Sequence, residues 1–421
     1  MAKRFVELLK DLLIVILSVA IVVLTLMALP AKTLTDSPVL TAVLRPVAHY
    51  FGISQVEFTV LPNGAGISAA SQPLAISVRN AGGRNTCQYS FSALDPAYET
   101  MGSALAQALA GAKRPEPSDR ETLYAALENP SVAFCYADSL PCDVLADWLG
   151  VSTEAKDCTA KFYALCLEDR GVALYLVSDA VLRCQTEFSS DSLRELCGNA
   201  PADGSFFAFE STDESYSHLD GLSLLPAAAP TLAKVTAQTL SDARFLTALA
   251  SDLGFNPYAA SGYRDSDGTE HYTEANASLS ISADGTLELE NSDPSRLGDY
   301  PSDPASRIFA AASLLNSMLG ENETEARLYL CSYRPTDGGA VCTFCYVIDG
   351  VPILQKEPVR VEFTGSYISA VYAVLRTYGT NADTLSVLPP LHAAAISERG
   401  TDLRICYADS GLSSLTAGWA R

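Results

Sequence analysis

Eleven cysteines, at 87, 135, 142, 158, 166, 184, 197, 331, 342, 345 and 406, are the residues of this 421-residue chain most capable of chemistry. Only Cys342-Thr-Phe-Cys345 has the spacing of a redox or zinc pair. It falls inside the apolar run AVCTFCYVID, between Asp337-Gly338-Gly339 and Asp349-Gly350, which reads as a strand. Positions i and i+3 of a strand face opposite sides, so these thiols cannot readily share a metal or a disulfide. No second CxxC and no neighbouring histidine completes a site. Cys135, Cys166 and Cys406 sit in the apolar runs VAFCYA, YALCLE and LRICYA, where a thiol behaves as a small buried hydrophobe. The four histidines, His49, His218, His271 and His392, are too scattered for a metal cluster. Gly64-Ala-Gly66-Ile-Ser-Ala69 has the letters of a dinucleotide turn without the βαβ context that would make it one. With no GxSxG, HExxH, P-loop or EF-hand, the residues point to a non-catalytic protein without cofactor or metal.

One pattern recurs. Cys135-Tyr136-Ala-Asp138-Ser returns as Cys406-Tyr407-Ala-Asp409-Ser, and each copy has a tryptophan thirteen residues after its cysteine, Trp148 and Trp419. The preceding helix-like segments also agree, LYAAL from Leu123 and LHAAA from Leu391. Two related modules, each placing helix, strand, turn and Trp alike, is the economical expectation. The paired aspartates read as turn-formers.

The elements around these landmarks alternate between strand runs and helices, so the expected class is α+β with antiparallel sheets and packed helices. Strands are expected at QVEFTVLP, PLAISVRN and TCQYSFSAL, then a helix over about 96–112. Asp169-Arg170-Gly171 separates two strand runs, the second spanning 172–188. Pro226-Ala-Ala-Ala-Pro230 suggests a stiff linker over 226–236, dividing a first module, 55–225, from a second, 237–421. In the second, Asp267-Gly268 and Asp284-Gly285 mark hairpins and Asp303-Pro304 opens a helix. Beyond that helix lie three long antiparallel segments, around RLYLCSYR, VCTFCYVI and VRVEFTGSYISAVYAVLRTY.

At the N-terminus, Leu12 to Leu29 passes eighteen residues without a charge. At 1.5 Å per residue that is about 27 Å, close to the hydrocarbon thickness of a bilayer. Lys3, Arg4 and Lys10 precede the run and only Lys32 follows closely. The positive-inside rule therefore expects a single-pass anchor over 1–31, N-terminus cytoplasmic, with a connector over 32–54 and the bulk of the chain outside. Asp11, Ser18 and Thr25 fall seven residues apart on one stripe of that helix, a face on which small hydroxylated residues permit close helix approach. Asp+Glu outnumber Lys+Arg by 49 to 28, for a net charge of -21, and no basic cluster is present. Nucleic acid is thereby a poor partner.

With this topology, the run LGFNPYAASGYRDSDGTEHYTEANASLSISADGT (253–286) and the later FCYVIDGVPILQKEPVRVEFTGSYISAVYAVLRTY (344–378), the sequence resembles the YycH/YycI family. These are membrane-anchored accessory proteins of the WalK (YycG) sensor histidine kinase. The resemblance covers mainly residues 240–421. It implies a two-domain α+β ectodomain, no catalysis, and control of a kinase governing cell-wall metabolism through transmembrane and ectodomain contacts, with a paralogous accessory protein as a further partner. The competing class is an anchored exported binding module or a cell-wall-associated enzyme, which a deep polar pocket would favour.

Overall fold

The computed structural model describes residues 71–198, 200–258, 262–320, 322 and 324–420. The first half opens with β1 (Ala75–Asn80), β2 (Gly83–Gln88), α1 (Phe91–Ala110), β3 (Glu116–Ser118), α2 (Arg120–Leu127), β4 (Ser131–Pro141) and α3 (Cys142–Trp148). It continues with β5 (Thr159–Glu168), β6 (Gly171–Val177), β7 (Val181–Gln185) and α4 (Ser190–Gly198). The seven strands make one antiparallel sheet ordered β2-β1-β4-β5-β6-β7-β3.

Both faces of that sheet are covered, which is why its strands read as continuous apolar runs. Ile76, Val132, Phe134, Leu165 and Leu174 face a core shared with Leu105 and Leu109 of α1 and Leu193 of α4. Their alternates Ala133, Phe162, Ala164, Cys166 and Tyr175 face a second cluster with Leu123 and Leu127 of α2. Each fully buried leucine or phenylalanine contributes about 2 kcal/mol of transfer free energy, so the two-sided burial dominates this half's stability.

A minimal ribbon, β8 (Phe206–Phe207) with β9 (Leu224–Leu225), leads to β10 (Thr231–Thr239), α5 (Ala243–Asp252), β11 (Gly262–Arg264), β12 (Glu270–Glu274), β13 (Ala277–Ile281) and β14 (Thr286–Asn291). Then come α6 (Pro304–Leu319), β15 (Arg327–Thr336), β16 (Gly339–Ile348), β17 (Val351–Leu354), β18 (Val359–Thr364), β19 (Tyr367–Val374) and β20 (Arg376–Ser386). The half closes with α7 (Pro390–Ala395), β21 (Arg404–Ala408) and β22 (Thr416–Ala420). The second sheet runs β11-β12-β13-β14-β19-β18-β16-β17-β21-β22, with β15 beside β16, and its one parallel pair is β17 with β21. Here β13 and β14 alternate buried and exposed residues. Leu279, Ile281, Leu287 and Leu289 point inward and the serines and glutamates between them point out. The Asp-Gly hairpins, between β11 and β12 and between β13 and β14, and the Asp303 cap, whose carboxylate accepts from Ser306 N at 2.8 Å, stand where the sequence puts them.

The chain is thus α+β with antiparallel sheets, and seven α-helices lie among the described residues. None of those helices is long and apolar enough to cross a membrane. The expected span over Leu12–Leu29, its stripe of Asp11, Ser18 and Thr25, and the connector over 32–54 lie outside the described residues. Other expectations need correction. The linker over 226–236 gives way at Thr231 to β10, which pairs along its length with β20. Leu232, Val235 and Ala237 of that strand enter a hydrophobic cluster that also contains Ile76 and Phe134 of the first sheet, so the halves share one core. The strand run 172–188 is two strands, β6 and β7. The helix expected from 96 begins at Phe91 and carries Pro96 inside it.

The module repeat holds for its helix and strand, α2–β4 against α7–β21, and then fails. Trp148 lies in helix α3 and Trp419 in strand β22. β4 is flanked by antiparallel partners, whereas β21 runs parallel to β17. Neighbouring strands, not the shared letters, decide which element comes after each copy.

Candidate functional site

The seam between the two sheets gathers a set of paired polar and charged groups. It is held first by a turn. Asp349 and Gly350 form the two-residue loop between β16 and β17, both with positive φ, 49° and 78°, as an Asp-Gly hairpin turn requires. The turn lies against Tyr89 and Ser90, and Asp349 Oδ1 accepts from Phe91 N at 2.8 Å, capping α1 where Ser90 offers no side-chain bond. A Cβ at Gly350 would meet Ser90 N at 3.2 Å and Tyr89 N at 3.3 Å, so glycine serves both the φ and the close approach. Tyr89 itself has φ 59°, an uncommon conformation for a bulky residue. Burial first, and then the nearby thiol of Cys406, push its phenol well above the usual tyrosine range; Cys135 lies within electrostatic range as well.

Charged side chains stitch the seam further. Lys161 on β5 reaches Asp402 Oδ2 at 3.4 Å, Arg404 pairs with the same carboxylate, and Arg404 Nη1 donates to Ala137 O at 2.8 Å. Arg120 Nη1 meets Asp220 Oδ1 at 2.6 Å, and Asp220 N donates to Thr401 O at 2.9 Å. On another stretch of the seam Arg327 donates to both oxygens of Asp95 at 2.8 Å, and its guanidinium lies 3.7 Å over the Phe91 ring. Burial raises the Asp402 carboxyl, but Arg404 and Lys161 outweigh it and hold it below the usual carboxylate range. Asp95 is likewise raised by burial and held lower by Arg327 and Gln72. Burial pushes the Cys135 and Cys406 thiols up to about 12.

Tyr89, Arg120, Lys161, Asp220, Asp402 and Arg404 line a cleft whose cavity is about 80 Å³, room for a few waters and well short of the several hundred that a small-molecule site occupies. Hydrogen bonding to Asp220 holds the Arg120 guanidinium protonated more firmly than in water, and Asp402 does the same for Arg404 against the cost of burial. The arrangement is therefore suited to holding two sheets in register by matched charge. Among the described residues no group of three histidine, cysteine, aspartate or glutamate side chains could hold a metal ion.

The sequence landmarks fall on this seam or beside it. Tyr136 donates to Ser71 O at 2.9 Å, and Tyr407 to Ala233 O at 2.6 Å. Asp138 is exposed and accepts from Ser139 N, whereas Asp409 is buried, 3.2 Å from Arg376 Nε, and accepts from Tyr378 Oη at 2.8 Å. Asp138 lies inside strand β4 rather than in a turn; Asp409 follows β21, where its Oδ1 accepts from Gly411 N at 2.9 Å as a turn-former does, and it is an ion-pair partner as well. Trp419 Nε1 donates to Leu388 O at 2.7 Å, and Trp148 packs against the main core. Cys342 and Cys345 do face opposite sides, the first in the main core and the second in a small cluster with Tyr329 and Val347. Sequence reasoning missed Tyr89, Lys161, Asp402 and Arg404. The available signal was Arg404 itself, a charge within the apolar strand run LRICYA, which burial tolerates only with a partner. No family model, curated protein or solved structure matches the chain.

Proposed function

We propose that this protein is a membrane-anchored, non-catalytic extracytoplasmic regulator of a sensor histidine kinase that controls cell-wall metabolism. The observation that carries the reading is the uncharged run Leu12 to Leu29 behind Lys3, Arg4 and Lys10, which fits an N-in single pass. The acidic remainder suits a body kept off anionic lipid and wall polymers. The seam supports the reading mechanically: two sheets that share a core and are joined by Lys161–Asp402, Arg404–Ala137 and Arg327–Asp95 can carry a displacement as one body. A regulator acts by binding two kinase states unequally, and a tenfold shift needs about 1.4 kcal/mol of difference, within reach of a few helix contacts. A second reading, an anchored exported binding module, would have to draw on Arg120, Lys161 and Arg404 along the cleft, whose partners here are Asp220 and Asp402.

The test is copurification of the full-length chain with membrane proteins. Ser18→Leu with Thr25→Leu keeps the span apolar but fills its close-approach face; it should weaken capture of a kinase and change kinase phosphorylation without lowering membrane insertion. Leu at Val19 and Val23 is the control. A mature chain that starts near Lys32, or no kinase among the captured proteins, would sink the proposal.

A further inference from the structure

Helix α7 is inverted. A surface helix ordinarily turns its large apolar residues to the core and its small or polar ones to water. Here the inward residues Ala393 and Ala394 are small, and they join a cluster with Tyr216, Leu219 and Leu403 against which Trp419 packs. The outward residues of α7 and its flanks fall at 388, 391, 392, 395 and 396, the i, i+3, i+4, i+7, i+8 spacing of one helix face. On that face Leu388, Leu391 and Ile396 are 51%, 41% and 67% exposed. The inversion is held in place from behind: Trp419 Nε1 donates to Leu388 O at 2.7 Å, Ser397 Oγ to Ala393 O at 2.7 Å, and His218 Nε2 lies 3.0 Å from Ala394 O. From Val387 to Ser397 the chain carries no acidic or basic side chain apart from His392. An exposed apolar face of this kind marks contact with a partner or a membrane.

We propose that this face is a lipid-docking surface, on which α7 lies against the outer leaflet of the bilayer that holds the chain. The proposal rests on the reading of Leu12 to Leu29 as an anchor. Two observations select lipid over a protein partner. The first is reach: residues 30–70 join that run to Ser71, where the described body begins, and a chain of about 40 residues spans no more than about 140 Å even fully extended. The bilayer surface is therefore always at hand, and because docking on it is intramolecular, a small apolar face suffices. The second is charge. A second copy of a chain with net charge -21 is repelled as a whole, as is anionic lipid, whereas a zwitterionic leaflet is not. To such a leaflet residues 387–397 offer leucine, isoleucine and no carboxylate, beside an indole, the side chain that favours the membrane–water boundary.

The full-length chain is reconstituted into phosphatidylcholine vesicles whose acyl chains are either plain or brominated near the carboxyl end, and tryptophan emission is read on vesicles recovered by flotation. Bromine quenches an indole only at short range, and of the two tryptophans Trp148 packs against the main core. The expected result is loss of the Trp419 share of the emission in brominated vesicles. Trp419→Phe should emit equally in the two lipids. Leu391→Asp with Ile396→Asp puts two carboxylates on the exposed face and leaves the buried alanines alone; it should float like the parent and also emit equally in both. A chain that does not float refutes the anchor, and the docking with it. If the parent floats but emits equally in both lipids, or the aspartate variant is quenched as strongly as the parent, the anchor stands and the docking is overturned.

Discussion

Cys135–Ser139 and Cys406–Ser410 spell the same five residues and meet at the same seam, yet they do different work. In the first copy the strand runs through the motif and two residues past it, to Pro141, with an irregular register, and Asp138 is exposed. In the second the strand stops at Ala408, and Asp409 folds back beneath the chain to meet Arg376. The difference comes from a partner: the Arg376 side chain is only 2% exposed and needs an anion, and among the described residues no ion pair is made by Asp138. A side chain's role at the end of a strand is set by what is buried next to it.

The largest expected effect breaks the comparison at the aspartates. Asp409→Ala leaves Arg376 buried without its carboxylate and strips an acceptor from Tyr378, so it should cost about 3–5 kcal/mol. Asp138→Ala should stay within about 0.5 kcal/mol, as surface changes do. Urea midpoints of the two variants check this, and equal losses would mean the copies are equivalent after all.

These contrasts also mark how far the sequence could be read. The Asp-Gly turns, the Asp303 cap, the alternation in β13 and β14 and the apolar strands of the first sheet were legible because each is specified within a few residues. The start of α1 at Phe91 was not, since the group that caps it, Asp349, lies 258 positions away. The bulge at Cys331 hides in RLYLCSYR, whose letters fit an unbroken strand, and it shows only against the register of β16. The role of Asp409 was illegible for the same reason: Arg376 belongs to another strand, and only the fold brings them together. β10 was hidden by the prolines before it, although Lys234-Val-Thr-Ala-Gln already has alternating character.

The cysteines offer the reverse experiment, because there the copies should agree. Both thiols are raised to about 12 in the fold, burial being the main cause in each. In the unfolded chain a thiol ionises near the ordinary value of about 8.5. Between that value and about 12 the unfolded state has released a proton that the folded state still holds, so stability falls as pH rises, by about 1.4 kcal/mol per pH unit for each such thiol. Cys135→Ala and Cys406→Ala should each flatten the alkaline slope of urea-derived stability by a similar amount relative to the parent. If only one variant does so, the two thiols are not in matching environments.

The smallest effect separates the tyrosines. Each hydroxyl donates to a backbone carbonyl, Tyr136 to Ser71 and Tyr407 to Ala233, and each phenylalanine replacement should cost about 1 kcal/mol. The acceptors make the difference. Ser71 O also receives the Tyr98 hydroxyl at 2.7 Å, so Tyr136→Phe leaves that carbonyl satisfied and the loss falls at the low end. Ala233 O sits in β10 beside the register shift between Ala233 and Lys234, where the ladder with β20 is already broken. Tyr407→Phe should therefore cost more than Tyr136→Phe, and should increase hydrogen exchange at the amides of β10 while leaving β1 unchanged. Equal costs with no local exchange would mean that the tyrosine of the second copy is held by packing alone, and that the bond to β10 contributes nothing to joining that strand to the body.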